Sequence, residues 1–162
     1  MSRSTLKMLA GVAAFVVAAP LACMAMIDDE RPVTRYETRA DSEQDRGWIP
    51  DRVPPSATRL VEAHDIDTNA RWLAFRASED ELTTMTSGLR PVADARKRHV
   101  APHLPPRMYG EWPSELRYGF QGTPPGVEAL PWFRDDAEGY CFAVDGRAGR
   151  AWGWSCGKPS GG

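Results

Sequence analysis

Alternation of apolar and polar side chains is clearest near the C-terminal end of the chain. It predicts two strands, YCFAVD at 140–145 and RAWGWSC at 150–156, which form a closing hairpin over residues 139–156. Gly149 suits the positive φ of a type I turn followed by a G1 bulge. Because successive side chains of a strand point to opposite faces, Trp152 and Trp154 are predicted to share one face.

A first hairpin is predicted over residues 60–77. Its two stretches, LVEAHDI at 60–66 and RWLAFRA at 71–77, are rich in β-branched and aromatic residues, with polar turn residues at 67–69. The acidic spacing that begins at Asp65 is similar to the start of an EF-hand loop. That loop also requires a glycine and a bidentate glutamate, and this chain has alanine and arginine there. A hairpin turn is therefore favoured over a calcium site.

A short helix is predicted after this hairpin. Ser78 and Glu81 have the spacing of a capping box, so the helix should run from Glu79 to about Thr86. Residues 91–138 contain eight prolines and show no clear periodicity. Together these elements predict an α+β fold, a small antiparallel sheet built from two hairpins with one short helix and a Pro-rich loop region.

The first 27 residues indicate where the protein resides. Arg3 and Lys7 precede an uncharged run at 8–27 that ends at acidic residues. This order is typical of a segment that the export machinery engages, and positive charge stays on the cytoplasmic side. Residues 1–27 are therefore predicted to be a signal or anchor segment, with the remaining chain outside the inner membrane. An uncharged run of about 20 residues is also long enough to span a bilayer.

The sequence PLAC at 20–23 resembles the lipobox of bacterial lipoproteins. In that family the cysteine is lipidated and becomes the mature N-terminus, so the resemblance implies lipidation of Cys23. An uncleaved transmembrane anchor and ordinary signal cleavage near residues 23–25 are the alternatives.

The chain has three cysteines. Cys141 and Cys156 lie at the outer ends of the closing hairpin, and an exported chain meets oxidants, so a disulfide between them is predicted. A G1 bulge at Gly149 would leave the two cysteines one residue out of register. Cys23 is then the odd cysteine, which a lipid or a position inside the bilayer would explain.

Composition divides the rest of the chain. Residues 28–46 are charged and almost free of large apolar residues, so a disordered linker is predicted there. Residues 47–157 are predicted to form a single globular domain and residues 158–162 a disordered tail. The net charge of −2 gives no indication of nucleic acid binding.

Candidate catalytic chemistry is sparse. His64 beside Asp65 resembles a base and its orienting carboxylate, but no serine lies in a Gly-x-Ser-x-Gly motif. His99 and His103 have the spacing of zinc ligands on a helix, yet Pro102 between them disfavours that helix. We therefore expect no catalytic residue, no metal and no cofactor.

Two groups of residues are candidates for contact with a partner. Trp112 and Trp132 are of the type that dominates binding hot spots, although most tryptophans in this half must fill the core. Arg96 and Arg98 belong to a basic cluster at 96–99 that can bind phosphates or acidic headgroups. A solvated loop is the simpler interpretation of that cluster.

These features favour a non-enzymatic cell-envelope protein that is membrane-tethered, faces the periplasm and binds a protein partner or cell-wall material. A more specific form of this binding protein, suggested by analogy, is an immunity-type inhibitor of a periplasmic toxin. A small envelope hydrolase is the rival class. A pocket where His64 meets an acid and a nucleophile would favour the hydrolase. An exposed aromatic patch would favour the binding protein.

Overall fold

The computed structural model describes residues 32–45, 48–113, 116 and 130–157. In these ranges, seven strands form one antiparallel sheet in the order β1-β2-β3-β7-β6-β5-β4. The strands are β1 Val33–Thr38, β2 Thr58–Asp65, β3 Ala70–Arg76, β4 Arg90–Pro91, β5 Trp132–Asp135, β6 Tyr140–Asp145 and β7 Arg150–Ser155. The helical segments are α1 Glu79–Thr86, α2 Asp94–Val100 and the 3₁₀ helices Ala40–Asp45 and Pro106–Met108.

Both predicted hairpins and the predicted helix are confirmed. β2 pairs with β3, β6 pairs with β7, and the β3–β7 pairing joins the two hairpins into one sheet. In the capping box of α1, the Glu81 N–H donates to the Ser78 hydroxyl at 3.3 Å, and the Ser78 N–H donates to the Glu81 carboxylate at 2.9 Å. The sheet also gains β1 at one edge and β4 and β5 at the other. The fold is therefore β-rich and larger than two hairpins with a helix.

Strand β1 lies within residues 28–46, where the sequence predicts a disordered linker. It pairs antiparallel with β2, and Val33 and Tyr36 pack against buried residues on opposite faces of the sheet. The Asp41 carboxylate then accepts a hydrogen bond from the Thr38 N–H at 2.9 Å. The linker prediction is wrong for this part of the chain, because pairing with an existing strand orders a segment that has little apolar area of its own.

The sheet is covered on both faces. We call one the tryptophan face and the other the leucine face. The tryptophan face contains Val61, Ala63, Trp72, Ala74, Trp132, Cys141, Ala143, Trp152 and Trp154. The leucine face contains Leu60, Leu73, Phe75, Tyr140, Phe142, Val144 and Ala151. Residues 92–113 and Leu116 cover the tryptophan face, whereas α1 and residues 48–57 cover the leucine face.

The cover of the tryptophan face is the Pro-rich region that shows no periodicity in the sequence. Its backbone is held by the sheet, since the Trp154 indole N–H donates to the Val100 carbonyl. The Trp152 indole N–H donates to the Glu111 carbonyl at 3.0 Å.

Within the described ranges, none of the helices is long and apolar enough to cross a membrane.

Cys141 and Cys156 form a disulfide, with 5.7 Å between their Cα atoms. Cys141 lies opposite Trp154 in the β6–β7 ladder, so Cys156 is two residues beyond its direct partner. Gly149 has the predicted positive φ, at 61°, but the ladder contains no extra residue. The expected one-residue offset is therefore wrong, and an offset of two keeps both side chains on the tryptophan face.

Candidate functional site

Trp112 and Trp132, the predicted partner-binding tryptophans, are 1% and 2% exposed. Their rings pack edge-on against Trp154, with centroid distances of 5.9 and 4.9 Å. The structure therefore corrects their predicted role, because a partner cannot reach them. Large aromatic rings fill this face where small residues such as Ala74 and Ala143 leave room.

The predicted basic cluster is divided by the helix on which it lies. Arg96 is exposed, whereas Lys97 is 5% exposed and its ammonium donates to the Leu130 carbonyl at 2.9 Å. The same ammonium is 2.8 Å from the Asp94 carboxylate. Lys97 therefore stabilises the fold instead of contributing to a basic surface. The side chain of Arg98 lies outside the described part of the chain.

The leucine face contains a buried carboxylate that is hydrogen-bonded to a histidine, a pair that sequence reasoning missed. Glu62 is 1% exposed, and its carboxylate is 2.9 Å from Nδ1 of His64. The two residues are two positions apart on β2, so their side chains share a face. Asp65 points to the other face and instead accepts the N–H groups of Asp67 and Thr68, at 3.0 and 3.1 Å, in the hairpin turn. The E-x-H spacing within a strand was the sequence signal for this pair.

Aromatic and cationic groups enclose the imidazole of His64. The Trp48 ring stacks on it with centroids 3.9 Å apart and an interplanar angle of 5°. Arg71 lies directly across from His64 in the β2–β3 ladder, and its guanidinium carbon is 5.7 Å from the Trp48 ring centroid. The imidazole is thus held between a carboxylate and an aromatic ring, with a positive charge on the neighbouring strand.

Tyr140 completes this group from β6. Its hydroxyl is buried and has no hydrogen-bond partner in the described part of the chain. Burial raises the pKa of Tyr140; the Arg71 charge opposes this effect and the Glu62 and Glu138 charges add to it. The phenol is therefore neutral, and it lies within electrostatic range of Glu62 and Arg71. We call Trp48, Glu62, His64, Arg71 and Tyr140 the polar cluster.

A second carboxylate, Asp135, organises the turn next to Tyr140. It accepts hydrogen bonds from Nε of Arg52 at 2.9 Å and from the N–H groups of Ala137 and Glu138 at 2.9 and 3.2 Å. Burial acts to raise the pKa of Asp135, but these three donors outweigh it and hold the pKa below its ordinary value. Burial, with the Asp135 and Asp51 charges, raises the pKa of Glu138.

Residues 30–76 match the family model of the YbbD head domain. The match covers less than a third of the chain and runs from just before β1 to the end of β3. It therefore includes four of the five residues of the polar cluster, all except Tyr140. The chain is similar to YbbD head domains over this segment. No curated protein and no solved structure matches the chain.

The polar cluster has the first two parts of a proton-transfer system, an imidazole and a carboxylate that orients it. In the described residues, the hydrogen bonds of His64 reach only the Glu62 carboxylate. The His64 side chain is 14% exposed, so solvent touches only a small part of it. A hydrogen-bonded carboxylate and imidazole, stacked on an aromatic ring, support a structural role more directly than they support nucleophilic catalysis.

Proposed function

We propose that this chain is a membrane-tethered cell-envelope protein whose β-rich domain binds another envelope component, without catalysing a reaction. The observation that carries the proposal is the Cys141–Cys156 disulfide, because such bonds persist in oxidising compartments. Arg3, Lys7 and the uncharged run after them supply the export signal. The similarity to the YbbD head domain over residues 30–76 also supports an envelope-associated protein.

Protease accessibility tests the location. The domain should be degraded when protease is added to intact spheroplasts, while a cytoplasmic marker survives. Protection of the domain until lysis contradicts the proposal.

The type of tether is tested separately at Cys23, which lies outside the described residues. Wild-type protein and Cys23→Ala are labelled with radioactive palmitate. Loss of label in Cys23→Ala indicates the lipoprotein form. Membrane association without label in either protein indicates a transmembrane anchor instead.

Binding is tested by cross-linking in intact cells, followed by purification from detergent extracts. A matched control carries residues 1–32 fused to an unrelated secreted domain, so that both proteins share the tether. A protein or peptidoglycan fragment recovered with the whole chain and absent from the control supports the proposal. Recovery of the same material with both proteins contradicts it. If the recovered protein is a secreted toxin, this chain would be identified as an immunity-type inhibitor of that toxin.

A small envelope hydrolase is the second candidate, and the Glu62–His64 pair is the observation that favours it. Purified wild-type protein and His64→Gln are incubated with isolated peptidoglycan, and the soluble fragments are measured. We expect neither protein to release fragments above the buffer control. Release by the wild type that His64→Gln abolishes would replace the binding proposal with the hydrolase.

A further inference from the structure

The two edges of the sheet differ in their capacity to pair with another strand. In the part of the chain that the structure describes, the strand order ends with β4 at one edge and β1 at the other. β4 has only two residues, Arg90 and Pro91, and proline has no N–H to donate. β1 has six residues without a proline, and it pairs with β2 in one constant register. β1 is therefore the edge that can extend the sheet.

Backbone alternation shows which groups of β1 point away from β2. The Arg39 N–H donates to the Ala57 carbonyl at 2.9 Å, on the side of β2. Because backbone groups of successive residues point to opposite sides of an antiparallel strand, those of Thr34 and Thr38 point outward. The Thr38 N–H accordingly donates to the Asp41 carboxylate at 2.9 Å, and this contact ends the outward ladder at Thr38. The Thr34 N–H and the Thr38 carbonyl are directed outward in the same row.

The charged side chains of β1 are complementary to a second copy of the same strand. Arg35 and Glu37 are both exposed, and their spacing places them on one side of the sheet. In a two-fold antiparallel pair centred on Tyr36, Arg35 of each copy lies opposite Glu37 of the other. A centre shifted by one residue places either two arginines or two glutamates opposite each other. Charge therefore selects a single register for this pairing.

The contact that Arg35 makes within the chain leaves it able to take part. Its guanidinium is 3.4 Å from the Glu111 carboxylate, and its side chain is 60% exposed. Ion pairs of this exposed kind are weak. A carboxylate on an adjoining strand can therefore share or replace Glu111 as the partner of Arg35.

We propose that two copies of this chain associate through β1, antiparallel and centred on Tyr36, so that one sheet continues through both copies. The Thr34 N–H of each copy donates to the Thr38 carbonyl of the other. The Tyr36 ring packs on the leucine face, so the two Tyr36 rings meet on that face beside the two-fold axis. This association requires neither the tether nor the binding function proposed above.

The test uses the full chain, produced in the same cells with two different affinity tags. Cells are treated with formaldehyde before detergent extraction, the protein is purified through one tag, and the second tag is measured. Wild type should recover wild type. Arg35→Glu in both copies should lower this recovery about ten-fold, because two attractive cross-strand contacts become repulsive. Arg35→Glu combined with Glu37→Arg in both copies should restore it, whereas this double variant should recover little wild type.

Three further variants separate the edge from other effects. Arg147→Glu reverses an exposed charge in the β6–β7 turn, and Glu111→Gln removes the contact of Arg35 within the chain without changing β1. Both should recover like the wild type. Thr34→Pro removes an outward N–H but none that points to β2, so it should abolish recovery with little change in melting temperature.

The proposal is overturned if wild type does not recover wild type. Recovery that both Arg35→Glu and Thr34→Pro retain also overturns it, because the contact would then lie away from β1. If the double variant recovers wild type as well as it recovers itself, or does not recover itself, the register centred on Tyr36 is wrong. Loss of recovery in Arg147→Glu would likewise contradict charge pairing at this edge.

Discussion

Gly153 shows how one residue decides the packing of the leucine face. A Cβ atom at this position would lie 2.9 Å from ring carbons of both Tyr140 and Phe142. Because the two rings are buried and tilted against each other at 5.3 Å, they cannot move aside freely. We expect Gly153→Ala to lower the free energy of unfolding by about 1–3 kcal/mol, measured by urea denaturation.

Gly110→Ala is the matched control for this prediction. A Cβ atom at Gly110 meets nothing within 4 Å, so the free energy of unfolding should change little. If the two substitutions lower the free energy of unfolding equally, the predicted clash of the methyl group in Gly153→Ala with the rings of Tyr140 and Phe142 is wrong.

The pH dependence of stability should reflect Asp135. Its pKa is lower in the folded state than in the unfolded chain, because Arg52 and two backbone N–H groups outweigh the effect of burial. A lowered pKa stabilises the folded state fully above the ordinary carboxyl value of about 4, and this contribution is lost as pH falls through the folded value. Asp135→Asn should therefore reduce stability at pH 7 more than at pH 3. Thermal unfolding of both proteins across that range measures the difference, and parallel curves would contradict it.

At the level of elements, the predictable parts are those with local signals. The capping box of Ser78 and Glu81 specifies α1, and alternation with turn residues specifies the two hairpins. Strand β1 and the cover at 92–113 were missed, because both are ordered by contacts with distant parts of the chain. The Glu62–His64 pair was missed for a related reason. Adjacency in the sequence pairs His64 with Asp65, whereas alternation along the strand places it with Glu62.

Removal of β1 should destabilise the domain, contrary to what its composition suggests. Without β1, strand β2 becomes an edge with unpaired backbone groups, and Val33 and Tyr36 no longer cover the core. We expect a chain that begins at Gly47 to melt many degrees below one that begins at Arg31, as measured by circular dichroism. Equal melting temperatures would show that β1 contributes nothing to stability. A chain that begins at Arg31 but carries Thr34→Ala is a mild control, because it retains the strand.

At the level of the whole molecule, covering both faces of the sheet explains why the tryptophans are internal. β6 is buried from Tyr140 to Val144 and β7 from Ala151 to Trp154, without the exposed positions of a one-sided sheet. The sequence alternation identified which residues share a face. It does not reveal that residues 92–113 cover one of those faces, and only this cover shows that Trp112 and Trp132 are internal.

The Cys141–Cys156 disulfide is the feature of this architecture on which the proposed envelope location depends. It joins Cys141 in β6 to Cys156, the residue that follows β7, and the two cysteines are 15 residues apart in the sequence. In the chain-entropy model, a loop of this length stabilises the folded state by about 3 kcal/mol. Cys141→Ala with Cys156→Ala should lower the free energy of unfolding by about that amount. Reduction of the wild type should have a similar effect, whereas reductant should not change the double variant.

The redox state in cells provides the decisive measurement. Cells are treated with an alkylating reagent before lysis, and the peptides are analysed by mass spectrometry without reduction. Because the proposed export brings the chain into an oxidising compartment, wild-type protein should carry no label on Cys141 or Cys156. A variant in which Arg3 and Lys7 are replaced and residues 8–27 deleted should remain inside and be labelled on both cysteines. Labelling of both cysteines in the wild type would contradict the bond and, with it, the main support for an envelope location.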